Sequence, residues 1–509
     1  MAMTWDELRA LRHKNVHIVG LSGVEGSAVA DFLIRQGFTN LTAHDFRPAE
    51  DFDRNFRLVH VGMKPEEREA ALQRLKQAPL RICFQDHYLD GILEADAIFA
   101  TQAWFIYQCN LPKLRQAKDK GIPFYSMTML YFDLAPCPIL AVTGTNGKST
   151  TSKLLSEIVA ASGRRTYYAG NERRSVQVLD RLEEMRPDDV LVLEVSNRQL
   201  IELERSPHVA VVTNVTPNHL DEHEGSFEKY VATKERLVRY QRPGDIAVLN
   251  YDNLITRRMA ERTPGHVVYF SREVELAEGA FLRGDRLVLR RGGEERELCR
   301  AQDLLIPGEH NISNVLAAAL AAFMFGVPPE VISRTVRTFR GLRHRLQLVY
   351  SVDGVRYYDD LNSTTPQATV AALKALDAPV VLIAGGEDKG LSFDEVAALA
   401  VQRCRLIILL PGRGTDRLEE ALRAARRGTD CPPIQRAAAL EEAVVLARTA
   451  ARPGDVVLLS PACPYFFSRF YDDSDGAGFR ALVRRVVVNS RPGSPRSAGA
   501  TGADMKEGP

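Results

Sequence analysis

Two patterns of hydrophobic positions alternate along this chain. Short, continuous apolar runs, such as residues 139–142 and 380–384, are bounded by Gly, Pro and Asn. Runs of this kind are typical of strands buried on both faces. Longer segments between them place apolar residues three and four positions apart, which predicts amphipathic helices. The alternation of the two patterns predicts an α/β fold built on open parallel sheets.

The N-terminal region reads as a strand, a glycine-containing turn, a helix and a second strand. The strand at 16–20 leads into the turn from Gly20 to Ser27, the helix spans 28–36, and the next strand ends at Asp45. An acidic residue after the second strand is typical of dinucleotide-binding folds. The glycine spacing is G-x-x-G-x-x-G rather than G-x-G-x-x-G, so the turn could hold any diphosphate at its helix N-terminus. Further strands are predicted at 58–61, 81–84 and 97–100.

A phosphate-binding loop is predicted in the middle of the chain. The strand at 139–142 breaks into Thr143-Gly-Thr-Asn-Gly-Lys-Ser-Thr150, and an amphipathic helix follows. This order surrounds one anionic site with backbone N–H groups and a helix N-terminus. Lys148 can contact the β- and γ-phosphates, and the Ser149 hydroxyl can bind Mg²⁺. We therefore expect a nucleoside triphosphate site formed by Thr143, Gly144, Thr145, Asn146, Gly147, Lys148, Ser149 and Thr150.

Polar residues follow the next two predicted strands. Glu194 ends one, and His219 lies in the loop after the other. Ligands in α/β sheets bind at such strand ends, so both residues are candidate Mg²⁺ ligands. His219 and His223 could instead form a zinc pair, but no H-E-x-x-H helix is present. Lys234 lies on a predicted helix, where a lone lysine is usually exposed to solvent.

Asn311 and Asn314 flank the predicted start of an Ala-rich helix at 315–325. They could be simple helix caps, or their amide groups could contact a purine edge. A further α/β region follows, with glycine and serine turns at 385–390 and 460–463. Its predicted strands are 355–358, 380–384, 406–410 and 456–460.

Composition and charge narrow the possible functions. The chain has 509 residues, which suggests about three domains, and a net charge of +1. Near neutrality gives no electrostatic basis for a nucleic-acid or membrane partner. Seven cysteines without paired spacing argue against disulfides and a Cys-based zinc site. No export signal is visible, and the longest apolar run is too short to span a bilayer. We expect a cytoplasmic protein.

In their order and spacing, these motifs resemble the Mur ligase family. The resemblance extends from Gly20 to Phe479 and includes Gly308-x-His-Asn-x-x-Asn314 and Gly341-x-x-His-Arg345. It implies three domains: an N-terminal Rossmann-like domain for a UDP substrate, a central P-loop-type ATPase domain, and a C-terminal Rossmann-like α/β domain for an amino acid. The expected boundaries are 1–130, 131–341 and 342–490, with a disordered tail at 491–509.

The resemblance also implies an activity. Gly385-Gly-x-x-Lys389 and Leu459-Ser-Pro-Ala-Cys463 favour the branch of the family that acts in peptidoglycan precursor synthesis, adding D-glutamate to UDP-N-acetylmuramoyl-L-alanine. ATP phosphorylates the substrate carboxylate, and the glutamate amine then displaces phosphate from the acyl phosphate. Two Mg²⁺ ions and a monomeric enzyme are expected.

Site residues carry over from the resemblance motif by motif. Lys148 would hold the γ-phosphate, and Ser149 and Glu194 would bind one Mg²⁺. His219 would bind a second ion, supported by Lys234, which matches a lysine that the family carbamylates. Asn311 and Asn314 would contact adenine, Arg345 and Asp360 the nucleotide, and Lys389 and Ser460 the glutamate carboxylates. Predicted contacts of the UDP substrate are Gly20, Ser22, Gly23, Asp45, Asn171, Ser196, Gln199 and His219.

The chain departs from the family pattern near the expected substrate pockets. Asn197 and Arg198 replace Ser-Phe in E-x-S-S-F-Q-L, Arg173 replaces the last glycine of G-N-I-G, Asn218 replaces Asp in D-H-L-D, and Asn362 stands where a lysine is usual. A paralogue that uses L-glutamate or a different carboxylate therefore remains open. So do a folylpolyglutamate synthase, a nucleotide-binding member without turnover, and an NAD-dependent oxidoreductase.

Overall fold

A computed structural model of the chain describes residues 3–60, 62–102, 104–170, 177–218, 220–388, 390–426, 431–464 and 478–489. These residues form three sheets in an α/β arrangement, as the sequence predicts. Contacts divide the chain into two compact units, Met1–Leu304 with Glu309–Phe339, and Leu305–Gly308 with Arg340–Pro509. No helix in the described part of the chain has the length and apolar character needed to cross a membrane.

The first unit begins with a five-stranded parallel sheet in the order β3-β2-β1-β4-β5. β1 lies at the centre of this sheet and is buried along its whole length. The turn that follows β1 lies at the carboxyl edge of the sheet. The strands are β1 Val16–Val19, β2 Leu41–Asp45, β3 Leu80–Phe84, β4 Ala97–Ala100 and β5 Phe124–Tyr125. The helices are α1 Trp5–Ala10, α2 Val24–Arg35, α3 Ala49–Val59, α4 Pro65–Gln77, α5 Leu111–Asp119 and α6 Met127–Leu134.

The same unit continues into a nine-stranded sheet in the order β14-β13-β12-β11-β10-β9-β6-β8-β7. β6 is central, and its neighbours β8 and β9 run parallel to it, so their carboxyl ends meet at one edge. The strands are β6 Ile139–Thr143, β7 Thr166–Ala169, β8 Val190–Glu194, β9 Val209–Val212, β10 Ile246–Asn250, β11 His266–Ser271, β12 Gly279–Arg283, β13 Arg286–Arg291 and β14 Glu294–Arg300. The helices are α7 Lys148–Ala161, α8 Asn197–Leu200, α9 Phe227–Arg239, α10 Leu254–Arg258, α11 Glu309–Met324 and α12 Pro329–Thr338.

The second unit contains a six-stranded sheet in the order β15-β16-β20-β17-β18-β19. Only the pairing of β15 with β16 is antiparallel among these strands. The strands are β15 Gln347–Val352, β16 Val355–Asp359, β17 Val380–Ala384, β18 Cys404–Leu409, β19 Ile434–Arg436 and β20 Val456–Leu459. The helices are α13 Pro366–Lys374, α14 Asp394–Arg403, α15 Arg413–Ala425, α16 Leu440–Ala450 and α17 Phe479–Val483.

The strand predicted at 58–61 is wrong. Leu58 and Val59 end helix α3, and Leu58 is 52% exposed. Phe52 and Phe56, one turn apart, are the buried residues of that helix. Helical spacing therefore outweighs a short apolar run, because only one face of the helix contacts the core. The antiparallel strands β12 to β14 were not predicted, because their apolar runs are at most three residues long and lie among charged residues.

Candidate active site

The loop after β6 is shaped by two glycines. Gly144 and Gly147 have φ values of +147° and +83°. A Cβ at Gly144 would lie 2.0 Å from Thr213 Oγ1, and one at Gly147 would lie 2.2 Å from Asn314 Oδ1. Both positions therefore require glycine, for backbone conformation and for space. Helix α7 begins directly after Gly147, so its N-terminal N–H groups face the loop.

The predicted phosphate-binding side chains gather at this loop. Lys148 Nζ donates hydrogen bonds to the carbonyls of Gly144 at 3.1 Å and Thr145 at 2.9 Å. Ser149 Oγ donates to Glu194 Oε1 at 3.0 Å, and both side chains are buried. The ammonium thus lies over the loop that is expected to hold phosphate, and the hydroxyl meets the carboxylate at the end of β8.

Lys234 is buried beside the same loop, with only 1% of its surface exposed. The expectation of a solvent-exposed lysine is therefore wrong. Its Nζ donates to Thr143 Oγ1 at 3.0 Å, across 91 residues of sequence. Burial and the charge of Lys148 hold the pKa of Lys234 well below its usual value, while Glu194 acts in the opposite direction. Lowering the pKa favours the neutral, nucleophilic amine.

The oxygen donors of this cluster suit a magnesium ion. The Ser149 hydroxyl and the Glu194 carboxylate are hard ligands at the N-terminus of a phosphate-binding helix. Within the described ranges, no three His, Cys, Asp or Glu side chains come together in a way that could hold a metal ion. A Mg²⁺ ion bound to these two side chains would take further ligands from phosphate or water, as this ion usually does.

Residues beyond the predicted set fix the position of the loop. Thr145 Oγ1 donates to the carbonyl of Thr216 at 3.1 Å and lies 3.1 Å from the Tyr230 hydroxyl. The N–H of Asn146 donates to Asn214 Oδ1 at 3.0 Å. Thr150 lies in the first turn of α7 and is half-buried. Neither Asn214 nor Tyr230 was predicted as a site residue, although Asn214 lies just beyond the end of β9.

Asn314 of helix α11 lies against the phosphate loop, where its Oδ1 is the atom that a Cβ at Gly147 would meet. The helix begins at Glu309, so Asn311 and Asn314 are inside it, and the interpretation as helix caps is wrong. Asn314 Nδ2 donates to Asn311 Oδ1 at 3.1 Å, and both residues are buried. The position of Asn314 beside Gly147 is compatible with a contact to a nucleotide held by the loop.

The turn after β1 forms a second polar site in the first unit. Asp45 is buried and accepts hydrogen bonds from the backbone N–H of Ser22 at 2.8 Å and of Arg47 at 3.1 Å. The Ser22 hydroxyl accepts from Arg47 Nη1 at 3.2 Å and from Asn55 Nδ2 at 2.7 Å. Neither Arg47 nor Asn55 was predicted from the sequence as part of this site. The position of Arg47 two residues after the strand-ending Asp45 was the available signal.

Close packing explains the glycines of this turn. Gly20 has a φ of +88°, and the N–H of Gly23 donates to its carbonyl at 3.0 Å. A Cβ at Gly26 would lie 2.1 Å from the Gly20 carbonyl oxygen. Helix α2 can therefore begin directly against the turn, which aims its N-terminus at any bound anion.

A hydrogen-bonded series joins the two sheets of the first unit. Glu25 Oε2 accepts from the N–H of Gln102 at 2.9 Å, and Ser196 Oγ donates to Gln102 Oε1 at 3.2 Å. Ser196 and Gln199 also form a capping box at the start of α8. Burial raises the pKa of the Glu25 carboxyl to about 7. The predicted substrate contact Ser196 is thus linked through Gln102 to Glu25, in the first turn of the helix that follows the turn after β1.

In the second unit, Asp360 and Ser460 contact each other directly. Ser460 Oγ donates to Asp360 Oδ2 at 2.8 Å, and both residues are buried. Asp360 also accepts from Ser363 Oγ and from the N–H of Leu346. The family resemblance implies a nucleotide contact for Asp360 and a glutamate contact for Ser460, and the structure joins the two side chains in one network. Arg345, which directly precedes Leu346 in the chain, is exposed to solvent.

The Asp360 carboxyl is expected to give the second unit a pH-dependent stability. Burial raises its pKa from 3.8 to about 7, against hydrogen bonds that lower it. The folded state therefore binds the proton more tightly than the unfolded state. The stabilisation is complete at low pH and is lost as pH rises from about 4 to about 7, with an upper limit of roughly 4 kcal/mol.

Asp360→Asn tests this dependence, because asparagine cannot ionise. Denaturant midpoints measured at about pH 5 and about pH 8 should differ less in the variant than in the wild type. Asp377→Asn, which removes a carboxylate just after α13, is the control and should keep the wild-type difference. An equal pH dependence in Asp360→Asn and the wild type would contradict the assignment.

Three predicted site residues, Asn171, His219 and Lys389, lie outside the described residues. The predicted tail at 491–509 also lies outside them.

Two family models match most of this chain. The Mur ligase middle domain matches residues 142–322, and the Mur ligase, glutamate ligase domain matches residues 344–463. A protein of Symbiobacterium thermophilum named UDP-N-acetylmuramoylalanine–D-glutamate ligase is 40% identical, over 92% of this chain and 97% of its own length. A protein of the same name from Acetivibrio thermocellus is 36% identical, over 94% and 98%.

Solved structures support the fold. UDP-N-acetylmuramate-alanine ligase from Thermotoga maritima has a TM-score of 0.57 at 18% identity, covering 94% of this chain and 99% of its own. A UDP-N-acetylmuramoyl-L-alanyl-D-glutamate–2,6-diaminopimelate ligase has a TM-score of 0.53 at 17% identity, covering 89% and 93%. At these identities the likeness concerns the fold alone. From the two matching domains and the full-length relatives, the chain belongs to the Mur ligase family.

Proposed function

We propose that this protein uses ATP to join D-glutamate to UDP-N-acetylmuramoylalanine in peptidoglycan precursor synthesis. The relatives that carry the name of this ligase match nearly the whole chain. The observation that carries the proposal is the cluster of Lys148 with the buried side chains of Ser149, Glu194 and Lys234 around one phosphate loop. A protein that only bound nucleotide would not need a buried lysine and a carboxylate beside the γ-phosphate position.

The reaction transfers the γ-phosphoryl group of ATP to the substrate carboxylate. The glutamate amine then attacks the acyl carbon, phosphate leaves with the bonding electron pair, and the amine loses a proton. Negative charge gathers on the transferring phosphoryl oxygens and then on the tetrahedral oxyanion, so fixed positive charge lowers both barriers. Lys148 supplies such a charge once its Nζ turns from the loop carbonyls to phosphate.

The proposed magnesium ligands are Ser149 and Glu194 for one ion, and His219 with Lys234 for a second. Bound Mg²⁺ would neutralise phosphate charge during transfer. Lys234 would take part as a carbamate, formed when the neutral amine adds to the carbon of CO₂ and releases one proton. The low pKa of Lys234 supports this step, because only the neutral amine is nucleophilic.

The remaining roles follow the three proposed domains, 1–130, 131–341 and 342–490. Gly20, Ser22, Gly23 and Asp45 would hold the UDP group, with the Arg47 side chain beside them. Asn171, Ser196, Gln199 and His219 would contact the rest of this substrate. Asn311 and Asn314 would contact adenine, Arg345 and Asp360 the nucleotide, and Lys389 and Ser460 the glutamate carboxylates. We propose a cytoplasmic monomer.

The decisive assay measures phosphate release with ATP, Mg²⁺ and UDP-N-acetylmuramoyl-L-alanine. We expect release that depends on D-glutamate, with little or none when L-glutamate or no amino acid is added. Release that depends on L-glutamate alone would support the proposed mechanism but show that L-glutamate, not D-glutamate, is the amino acid substrate. No release with either amino acid would contradict the proposed function, and would favour another acceptor or a protein without turnover.

A further inference from the structure

The short 3₁₀ turn Leu220–His223 is held by side chains from helix α8. Arg198 forms two parallel hydrogen bonds to Glu222, from Nε to Oε2 at 3.0 Å and from Nη2 to Oε1 at 2.6 Å. Asn197 Nδ2 adds a third to Glu222 Oε2 at 3.1 Å. The Glu222 side chain is only 6% exposed, against 38% for Arg198. The carboxylate is therefore withdrawn from water and depends on these donors.

The other side of the turn contacts the phosphate loop through Tyr230. The His223 ring packs edge-on against the Tyr230 ring, with centroids 5.3 Å apart, and His223 Nε2 lies 3.4 Å from Asn197 Nδ2. Tyr230 is fully buried, and its hydroxyl lies 3.1 Å from Thr145 Oγ1. A continuous series of contacts thus runs from α8 through the turn and α9 to the phosphate loop.

Each end of this series adjoins an element with a proposed catalytic residue. Helix α8 begins three residues after Glu194, at the end of β8. Helix α9 carries Lys234 one turn beyond Tyr230, on the same face. Thr145 belongs to the loop of Lys148. The turn therefore lies near β8, α9 and the phosphate loop, the three elements that carry Glu194, Lys234 and Lys148. The contacts of the turn itself are with side chains other than these three.

Asn197 and Arg198 are also positions at which this chain departs from the family pattern. Because these two positions lie near an expected substrate pocket, their change is one reason to consider a different acceptor substrate. Their contacts with Glu222 give them a partner within the same unit instead. The geometry accounts for the change without requiring a different substrate.

We propose that Arg198 and Glu222, with Asn197, form a positioning clamp that holds the turn Leu220–His223 between helices α8 and α9, beside the phosphate loop. The clamp rests on the proposed ligase function for its effect on catalysis. Without the guanidinium, Glu222 would be a buried charge lacking its bidentate partner, and the turn would move toward water. A small displacement of catalytic elements is enough to lower the rate of a positioned reaction by roughly ten- to a hundredfold.

The clamp predicts a specific result for Arg198→Met, which keeps an unbranched aliphatic side chain and removes the guanidinium and its charge. We expect kcat to fall by roughly ten- to a hundredfold while KM for ATP changes less than about twofold. Backbone amides of residues 220–223 should exchange hydrogen faster than in the wild type. The double variant Arg198→Glu with Glu222→Arg restores an ion pair and should recover much of both losses.

The control is Arg405→Met, which removes another bidentate pair of similar exposure. Arg405 contacts Asp455 at 2.7 and 3.1 Å in the second unit, with side chains 31% and 3% exposed. Its kcat and the exchange of residues 220–223 should stay near wild type. Unchanged exchange and kcat in Arg198→Met, or a double variant no better than the single ones, would overturn the clamp. Hydrogen exchange tests it even if the wild type proves to lack ligase activity.

Discussion

Replacing Lys148 with alanine is expected to lower kcat by roughly a thousandfold while leaving the fold intact. The ammonium lies over the phosphate loop, 3.1 Å from the Gly144 carbonyl and 2.9 Å from that of Thr145. Removing one preorganised charge from a phosphoryl-transfer site typically costs two to three orders of magnitude in rate. Alanine is a good helix former, so α7 should still begin after Gly147.

The measurement is ATP-dependent phosphate release with both substrates saturating, together with the thermal midpoint. Lys153→Ala provides a matched control, because Lys153 lies on the same helix and pairs with Glu157 at the surface. Its kcat should stay within about twofold of wild type. An unchanged kcat in Lys148→Ala would remove the assignment of the ATP site.

Replacing Lys234 with alanine is expected to lower kcat by roughly a hundredfold or more. Its buried amine lies 3.0 Å from Thr143 Oγ1 and is held well below its usual pKa, mainly by burial and then by Lys148. If Lys234 acts as a carbamate, the variant loses an anion as well as a side chain. Acetate, a small carboxylate that can enter the space left by the lysine, should then restore part of the activity.

Lys229→Ala on the same helix is the control, since Lys229 pairs with Glu224 at the surface. It should retain wild-type activity, and acetate should not change it. The intact mass of the wild type should exceed the sequence mass by one CO₂. A protein of unmodified mass, with no rescue of Lys234→Ala by acetate, would contradict the carbamate. Wild-type activity in Lys234→Ala would exclude any catalytic role.

The local chemistry of the site could be predicted from sequence, because it depends on residues adjacent in the chain. The apolar run of β6, the loop with Gly144 and Gly147, and the start of α7 at Lys148 are all encoded within a few residues. Glu194 was predicted at a strand end for the same reason. Parallel strands place their carboxyl ends at one edge, so the pairing of β6 with β8 brings Glu194 to Ser149.

Tertiary structure alone decided which polar residues are buried and what they contact. Lys234 resembles any surface lysine until α9 packs against Thr143, 91 residues away in sequence. Asp360 and Ser460 were assigned to different ligands, yet they meet across 100 residues. Arg198 and Glu222 were unrelated positions in sequence. The hydrophobic periodicity of a segment indicates only which of its faces contacts the core and which contacts water. A charged side chain can be buried only where it has partners, and here distant segments of the chain supply them.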